Sequence, residues 1–187
     1  ATIFVMKAKK QLPKSVKINN KITSMTPGEI YDLNRTLSPK KSSDYVNWTS
    51  SNPQVATVDK NGVVTANTKG TAKITVTGLN SKVKDSVLIT VTDQVVASTQ
   101  KDIDRFLKAG SVSKLTINTK KEVELTIPEG DYFTTNLVVN APNATISNYG
   151  VFEEITIRAI KENTWKEFAK NKIQLLSNAS LIKPAFS

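Results

Sequence analysis

Six carboxylates in the second half of the chain, Glu122, Glu124, Glu129, Asp131, Glu153 and Glu154, have the type and spacing for acid–base chemistry. Glycoside cleavage uses two carboxyl groups about 5–10 Å apart, on opposite sides of the bond that breaks. On a strand, Glu122 and Glu124 would share one face, as residues two apart do. A solvated strand face accounts for the same residues, and the run is short for an extended groove. Trp165, Phe168 and Tyr149 have the ring types that stack on sugars. Trp165-Lys166-Glu167-Phe168 reads as a short helical or turn segment, with Trp165 and Phe168 on one side, and core packing is the expectation for these rings. Asp59-Lys60-Asn61-Gly62 invites comparison with a calcium loop. Counting Gly62 as the sixth position puts Thr57 first and Thr68 twelfth, where carboxylates are required. The segment therefore reads as a hairpin turn.

Histidine and cysteine are both absent. Histidine is the usual general base near neutral pH and the commonest transition-metal ligand. This chain cannot by itself build a Ser-His-Asp triad, a Cys-His pair, a thiolate zinc site or an iron–sulfur cluster. Only carboxylate chemistry or a lysine base stays open. The expectation is no catalytic residue, no metal and no cofactor, and hence no enzyme.

The elements that would position these residues are strands. Val, Ile, Thr, Ser and Asn dominate, and apolar and polar residues alternate. Thr71–Thr77 places Ala72, Ile74 and Val76 on one face, and Val87–Val91 does the same with Val87, Ile89 and Val91. Between Val55 and Ala66, Asn61-Gly62 favours a tight hairpin turn. Pro53 closes the preceding loop, and Gly70 marks another bend. One stretch is helical: Ser98 or Thr99 caps it, Asp102 completes a capping box, Ile103, Phe106 and Leu107 form a stripe, and Gly110 ends it. Further strands are expected at 114–118, 123–127, 136–140, 144–147, 154–160 and 173–176, with turns at Pro128–Asp131, Ala141–Asn143 and Asn148–Gly150. Asn118, Asn140 and Asn148 suit stacked coils whose side-chain amides pair, with the helix plugging one end. An ordinary α+β domain is the alternative for this half.

The order Trp48-Thr49-Ser50-Ser51-Asn52-Pro53, Val55-Ala56-Thr57-Val58-Asp59, Asn61-Gly62, Gly70-Thr71-Ala72 resembles the group 2 bacterial Ig-like family, from about Pro13 to Asp93. The resemblance implies a β-sandwich, a bacterial surface or extracellular location, and a longer multidomain parent protein. Leu137–Ala144 and Phe152–Ile157 look like the β-helical domains that follow such modules in bacterial surface proteins. The expected architecture is all-β: an immunoglobulin-like β-sandwich, then a small right-handed parallel β-helix-like domain capped by one α-helix. The expected domains are a basic segment or linker at 1–12, the Ig-like domain at 13–93, and the helix-capped domain at 94–187. Trp48, Pro53, Asn61, Gly62 and Gly70 are the structural hallmarks.

The chain carries a net charge of +10, unevenly spread. Residues 1–41 hold nine lysines and arginines against Glu29 and Asp32, a net +7, whereas 42–97 and 98–187 carry +1 and +2. Lys7, Lys9, Lys10, Lys14 and Lys17 are candidate contacts to a polyanion such as an anionic cell-wall polymer. Lysines protecting an edge strand explain the same pattern. Nucleic acid is not expected, since arginine is scarce and aromatics are not interleaved. No stretch approaches the ~20 apolar residues of a membrane helix. The expected role is a non-enzymatic surface module, a structural spacer or an adhesion unit. It would be monomeric within its parent and face a protein or glycan on a host or neighbouring cell. The alternative is a carbohydrate-binding or carbohydrate-cleaving β-helix on an Ig-like stalk.

Overall fold

The computed structural model describes residues 11–176, so Lys7, Lys9 and Lys10 and nearly all of the expected basic segment lie outside the described residues. The chain divides into two compact units. One holds residues up to Val91 apart from Met25–Gly28, and the other holds those four and the chain from Thr92 on.

The first unit comprises β1 (Ser15–Ile18), β2 (Ser24–Met25), β3 (Ile30–Asp32), β4 (Arg35–Ser38), β5 (Val46–Ser50), β6 (Ala56–Val58), β7 (Val63–Ala66), β8 (Gly70–Gly78) and β9 (Lys84–Val91). These strands form sheets in the orders β2-β9-β8-β5 and β3-β7-β6, with β1 paired to β4 as a ribbon. Layers form because alternation gives each strand one apolar face that needs covering. In β8, Ala72, Ile74 and Val76 are buried while Thr71 and Lys73 face water. In β9, Val87, Ile89 and Val91 are buried. β1 packs on β8 and β9, and β6 packs on β5 and β8, which closes an Ig-like sandwich. Trp48 in β5 pairs with Val76 in β8 and is 6% exposed.

The second unit comprises β10 (Gln94–Ala97), α1 (Gln100–Ala109), β11 (Lys114–Asn118), β12 (Glu124–Ala141), β13 (Thr145–Ile160), β14 (Trp165–Glu167) and β15 (Ile173–Leu175). Every pairing here is parallel. β10, β11, the end of β12, the second half of β13 and β15 stack on one side, offset by 20, 22, 18 and 18 residues. The start of β12, the start of β13 and β14 stack on another, offset by 21 and 19 residues. This is a stack of parallel coils. Inside it Leu115, Ile117, Leu137, Val139, Ile155 and Ile157 line one wall, and Leu125, Ile127 and Ile146 the other. Each such side chain contributes about 1.5–3 kcal/mol by leaving water.

α1 occupies the first coil. Thr99 caps it in a capping box with Asp102, Gly110 ends it at φ +71°, and Ile103, Phe106 and Leu107 turn into the coil core. Gln100 docks it sideways: its Nε2 donates to the Thr126 carbonyl at 2.7 Å, and its Oε1 accepts the Thr126 N–H at 2.8 Å. The side-chain amide thus stands where a neighbouring strand's backbone would be. Between coils, the exposed Asn140 amide donates to Asn118 Oδ1 at 3.1 Å, whereas Asn148, expected to stack with them, is buried and bonds Gly150 and Glu167 instead.

Three further expectations are corrected here. Pro128–Asp131 and Asn148–Gly150 are not turns between strands; both lie within the long strands β12 and β13. The ladder bends there without ending: the register shifts between Ile127 and Gly130, and Gly130 pairs with Gly150. Pro128 sits in that irregularity, where its missing N–H breaks no regular rung. Trp165–Phe168 is not helical either, since Trp165–Glu167 is a strand with Trp165 and Glu167 inward and Lys166 outward.

Candidate functional site

In the first unit the hallmark residues gather around one hairpin. β6 and β7 pair from Ala56↔Ala66 to Val58↔Val64. The Asp59 carboxylate accepts the N–H groups of Asn61 at 2.8 Å and Val63 at 2.9 Å, and the Asp59 N–H donates to the Val63 carbonyl at 2.9 Å. Only Gly62 of the Asn-Gly pair takes positive φ, at +96°. The carboxylate clamp, rather than two left-handed residues, thus shapes the loop. The Trp48 ring lies on Gly62 so closely that a Cβ there would be 2.7 Å from Cζ2. Gly70, at φ +144°, meets Val55 in the same way, its Cβ position being 2.7 Å from Cγ2. Pro53 sits in the exposed loop before β6, and its carbonyl accepts the Asn67 amide at 3.0 Å.

In this unit Asp44 and Asp59 accept from donors in turns, and Asp85 accepts on strand β9. The Ser81 hydroxyl, the Ser81 N–H and the Asn80 donors surround Asp44 and hold its carboxyl well below the usual range, against a smaller opposing pull from desolvation. The Val63 N–H, with those of Asn61 and Gly62, lowers Asp59. At Asp85, burial pushes upward, but the Lys21 ammonium at 2.7 Å and the Ile18 and Ser86 N–H groups prevail and lower it. Lys14 and Lys17 flank or lie on β1 and are exposed.

In the coiled unit the six candidate carboxylates are dispersed. Glu153 and Glu154 line an open groove of about 500 Å³ with Asn136, Lys172, Ile173 and Gln174. The Asn136 amide donates to Glu153 Oε2 at 3.3 Å. Glu122 and Glu124 line a separate hollow of about 210 Å³ with Asn143, Thr145 and Lys161. Glu129 is exposed beside the bend, and Asp131 borders a small cavity of about 130 Å³ near Phe106 and Tyr132. The first groove offers amide, carboxylate and ammonium groups, a hydrogen-bonding set for a polar ligand.

The aromatic candidates separate as well. Trp165 is 1% exposed in the core, whereas Tyr149 and Phe168 stack outside, with centroids 4.5 Å apart and planes 5° apart. Sequence reasoning missed Glu167, which is buried at 3% exposure. Its Oε1 accepts from the Asn148 and Asn171 amides and the Ala169 N–H, each at 3.0 Å. Its Oε2 accepts from Trp165 Nε1 at 3.0 Å and again from the Asn148 amide at 3.2 Å. A carboxylate taken from water needs such a full set of donors. The signal available in the sequence was the coil period, since Asn148 and Glu167 stand in register on adjacent coils.

Residues 13–91 match the family described as bacterial Ig-like domain (group 2). A lacto-N-biosidase of Bifidobacterium bifidum is 41% identical over 76 residues, 41% of this chain and 7% of that protein. A 3-O-alpha-D-galactosyl-alpha-L-arabinofuranosidase of Bifidobacterium longum subsp. longum is 43% identical over 72 residues, 37% of this chain and 6% of its own length. A polysaccharide lyase 8 family protein of Enterococcus faecalis is 31% identical over 86 residues, 44% of this chain and 6% of its own. The match therefore spans only 6–7% of these relatives.

Proposed function

Because residues 13–91 are a group 2 bacterial Ig-like domain, we propose that this chain is a non-catalytic module of a bacterial protein acting outside the cell. The sandwich serves as a structural spacer, and the coiled unit is what it carries. One observation carries this reading. A piece of 72–86 residues is shared with proteins named as a biosidase, an arabinofuranosidase and a lyase, and it is 6–7% of each. A segment that accompanies different chemistries is not the part that sets the chemistry. Within the sandwich, Asp44, Asp59 and Asp85 are held ionised by neighbouring donors and, at Asp85, by the Lys21 ammonium. A general acid needs the opposite shift, toward neutrality. The test incubates the chain with a panel of plant, host and microbial polysaccharides, assaying new reducing ends and unsaturated products. No turnover is expected. Turnover that disappears in Glu153→Gln or Glu154→Gln would overturn the reading.

A second reading, carbohydrate binding by the coiled unit, draws on the groove of Asn136, Glu153, Glu154, Lys172 and Gln174 and on the outward Tyr149–Phe168 pair. Affinity electrophoresis of Gln174→Ala and Phe168→Ala in neutral glycan gels tests it. Unchanged mobility of both would remove it.

A further inference from the structure

The ribbon of β1 and β4 concentrates positive charge in a way the linear sequence does not display. Its two segments, 11–18 and 33–43, contain Lys14, Lys17, Arg35, Lys40 and Lys41 and no acidic residue. They are zipped together by Ser43 N–H to the Gln11 carbonyl at 3.0 Å, by Lys14 N–H to the Ser38 carbonyl at 2.7 Å, and by the β1–β4 ladder. Lys40 and Lys41, more than twenty residues from Lys14 and Lys17 in sequence, therefore lie on the same ribbon as they do. The four lysines are exposed and make no ion pair among the described residues. Lys21 does not belong with them, because Asp85 holds it at 2.7 Å.

We propose that this ribbon binds a linear acidic polysaccharide, with Lys14, Lys17, Lys40 and Lys41 contacting carboxylate or sulfate groups repeated along it. The inference does not depend on the spacer reading, and its failure would leave that reading standing. Lys14 and Lys17 lie about 10 Å apart along the strand, so the cations are spread out and not focused on one point. Such spacing matches a ligand whose charges recur along its length. Each lysine ammonium is a compact point charge that can meet one anionic group at a time, whereas the arginine fork grips two oxygens of a single carboxylate or phosphate. The one arginine here, Arg35, is half-buried, and its Nε is buried without a partner. At the end of the ribbon, Leu12, Ser43, Asp44, Tyr45 and Asn80 border a hollow of about 260 Å³; the Asp44 carboxylate there is taken up by donors of Asn80 and Ser81, and Tyr45 is 80% exposed. An exposed ring beside a polar hollow is a suitable platform for a sugar.

The experiment measures binding of the full chain to heparin, polygalacturonate and double-stranded DNA over a range of salt. Expected is polysaccharide binding that weakens with salt, as screened contacts do. The variant K14Q/K17Q/K40Q/K41Q should lose roughly tenfold or more, at about a factor of two per exposed contact. The loop pair K40Q/K41Q, outside any strand, should lose about fourfold. A charge-matched control, K60Q/K73Q/K84Q/K101Q, should change less than about twofold, since those cations lie off the ribbon. Equal losses in the two quadruple variants would reduce the effect to net charge and overturn the proposal. So would tighter binding of DNA than of either polysaccharide, no binding at all, or a loss reproduced entirely by K7Q/K9Q/K10Q.

Discussion

Replacing Gly62 with alanine puts the packing of the first unit to a quantitative test. Gly62 has φ +96°, where an L-residue costs about 1–2 kcal/mol. Its new methyl would stand 2.7 Å from Trp48 Cζ2 and 2.8 Å from Cε2, so the indole or the hairpin must move. Overpacking of this kind costs about 1–3 kcal/mol. Together the two effects give about 2–5 kcal/mol, against about 4–12 kcal/mol of stability expected for a domain this size. Gly28 separates the contributions: it has φ +85° but no heavy atom within 4 Å of its Cβ position, so Gly28→Ala should cost only the backbone part. Native-state hydrogen exchange reads both losses in free energy, from the β6 and β7 amides for Gly62→Ala and from the amides flanking the Gly28 turn, in β2 and β3, for Gly28→Ala. In a Trp48→Phe background the benzo ring is gone, and the extra cost of Gly62→Ala should shrink by 1 kcal/mol or more. If Gly62→Ala costs no more than Gly28→Ala, or if the two sites show no coupling, the indole does not rest on this turn.

Glu167→Ala would strand the Trp165 and Ala169 donors and leave the Asn148 and Asn171 amides only the Gly150 carbonyl. A loss of about 3 kcal/mol or more is expected, read from exchange of the β13 and β14 amides, and a loss under 1 kcal/mol would show that the network is incidental. Asp44 is a depressed carboxylate, so its contribution is complete above its unfolded value near 3.9 and fades as pH falls toward the lowered one. The amide resonances of Asn80 and Ser81 should therefore titrate well below the ordinary aspartate range and lose that step in Asp44→Asn. A midpoint near the ordinary value would contradict the bonded geometry. Gln100→Ala should cost about 1–2 kcal/mol and speed exchange of the Thr126 amide, with unchanged exchange as the refuting result.

The sandwich was legible because its strands are half buried. Ala72-Lys73-Ile74-Thr75-Val76 can alternate in only one useful way, and the Asn61-Gly62 pair marks its hairpin. The helix was legible too, since Thr99, Asp102 and Gly110 are local signals that depend on neighbours in sequence. The coils were harder. A chain that bends without leaving its ladder shows the same Pro, Gly and Asn residues as a chain that turns between strands, so Pro128–Asp131 and Asn148–Gly150 read as breaks. Trp165 and Phe168 fit a helical spacing, but neighbours on the preceding coil decide their directions. Glu167 carries no mark of burial, because its partners arrive from Asn148, one coil earlier, and from the bend after β14. Lys40 and Lys41 joined Lys14 and Lys17 on one ribbon only through pairing across β1 and β4.

The docking of Gln100 on Thr126 has a consequence for how this molecule meets its own kind. A bare strand margin recruits any passing strand, because peptide groups recognise one another without regard to side chains. At Thr126 both valences are already filled by a glutamine held on α1. A neighbouring molecule therefore finds no template there, and the protection costs a single side chain, not another strand.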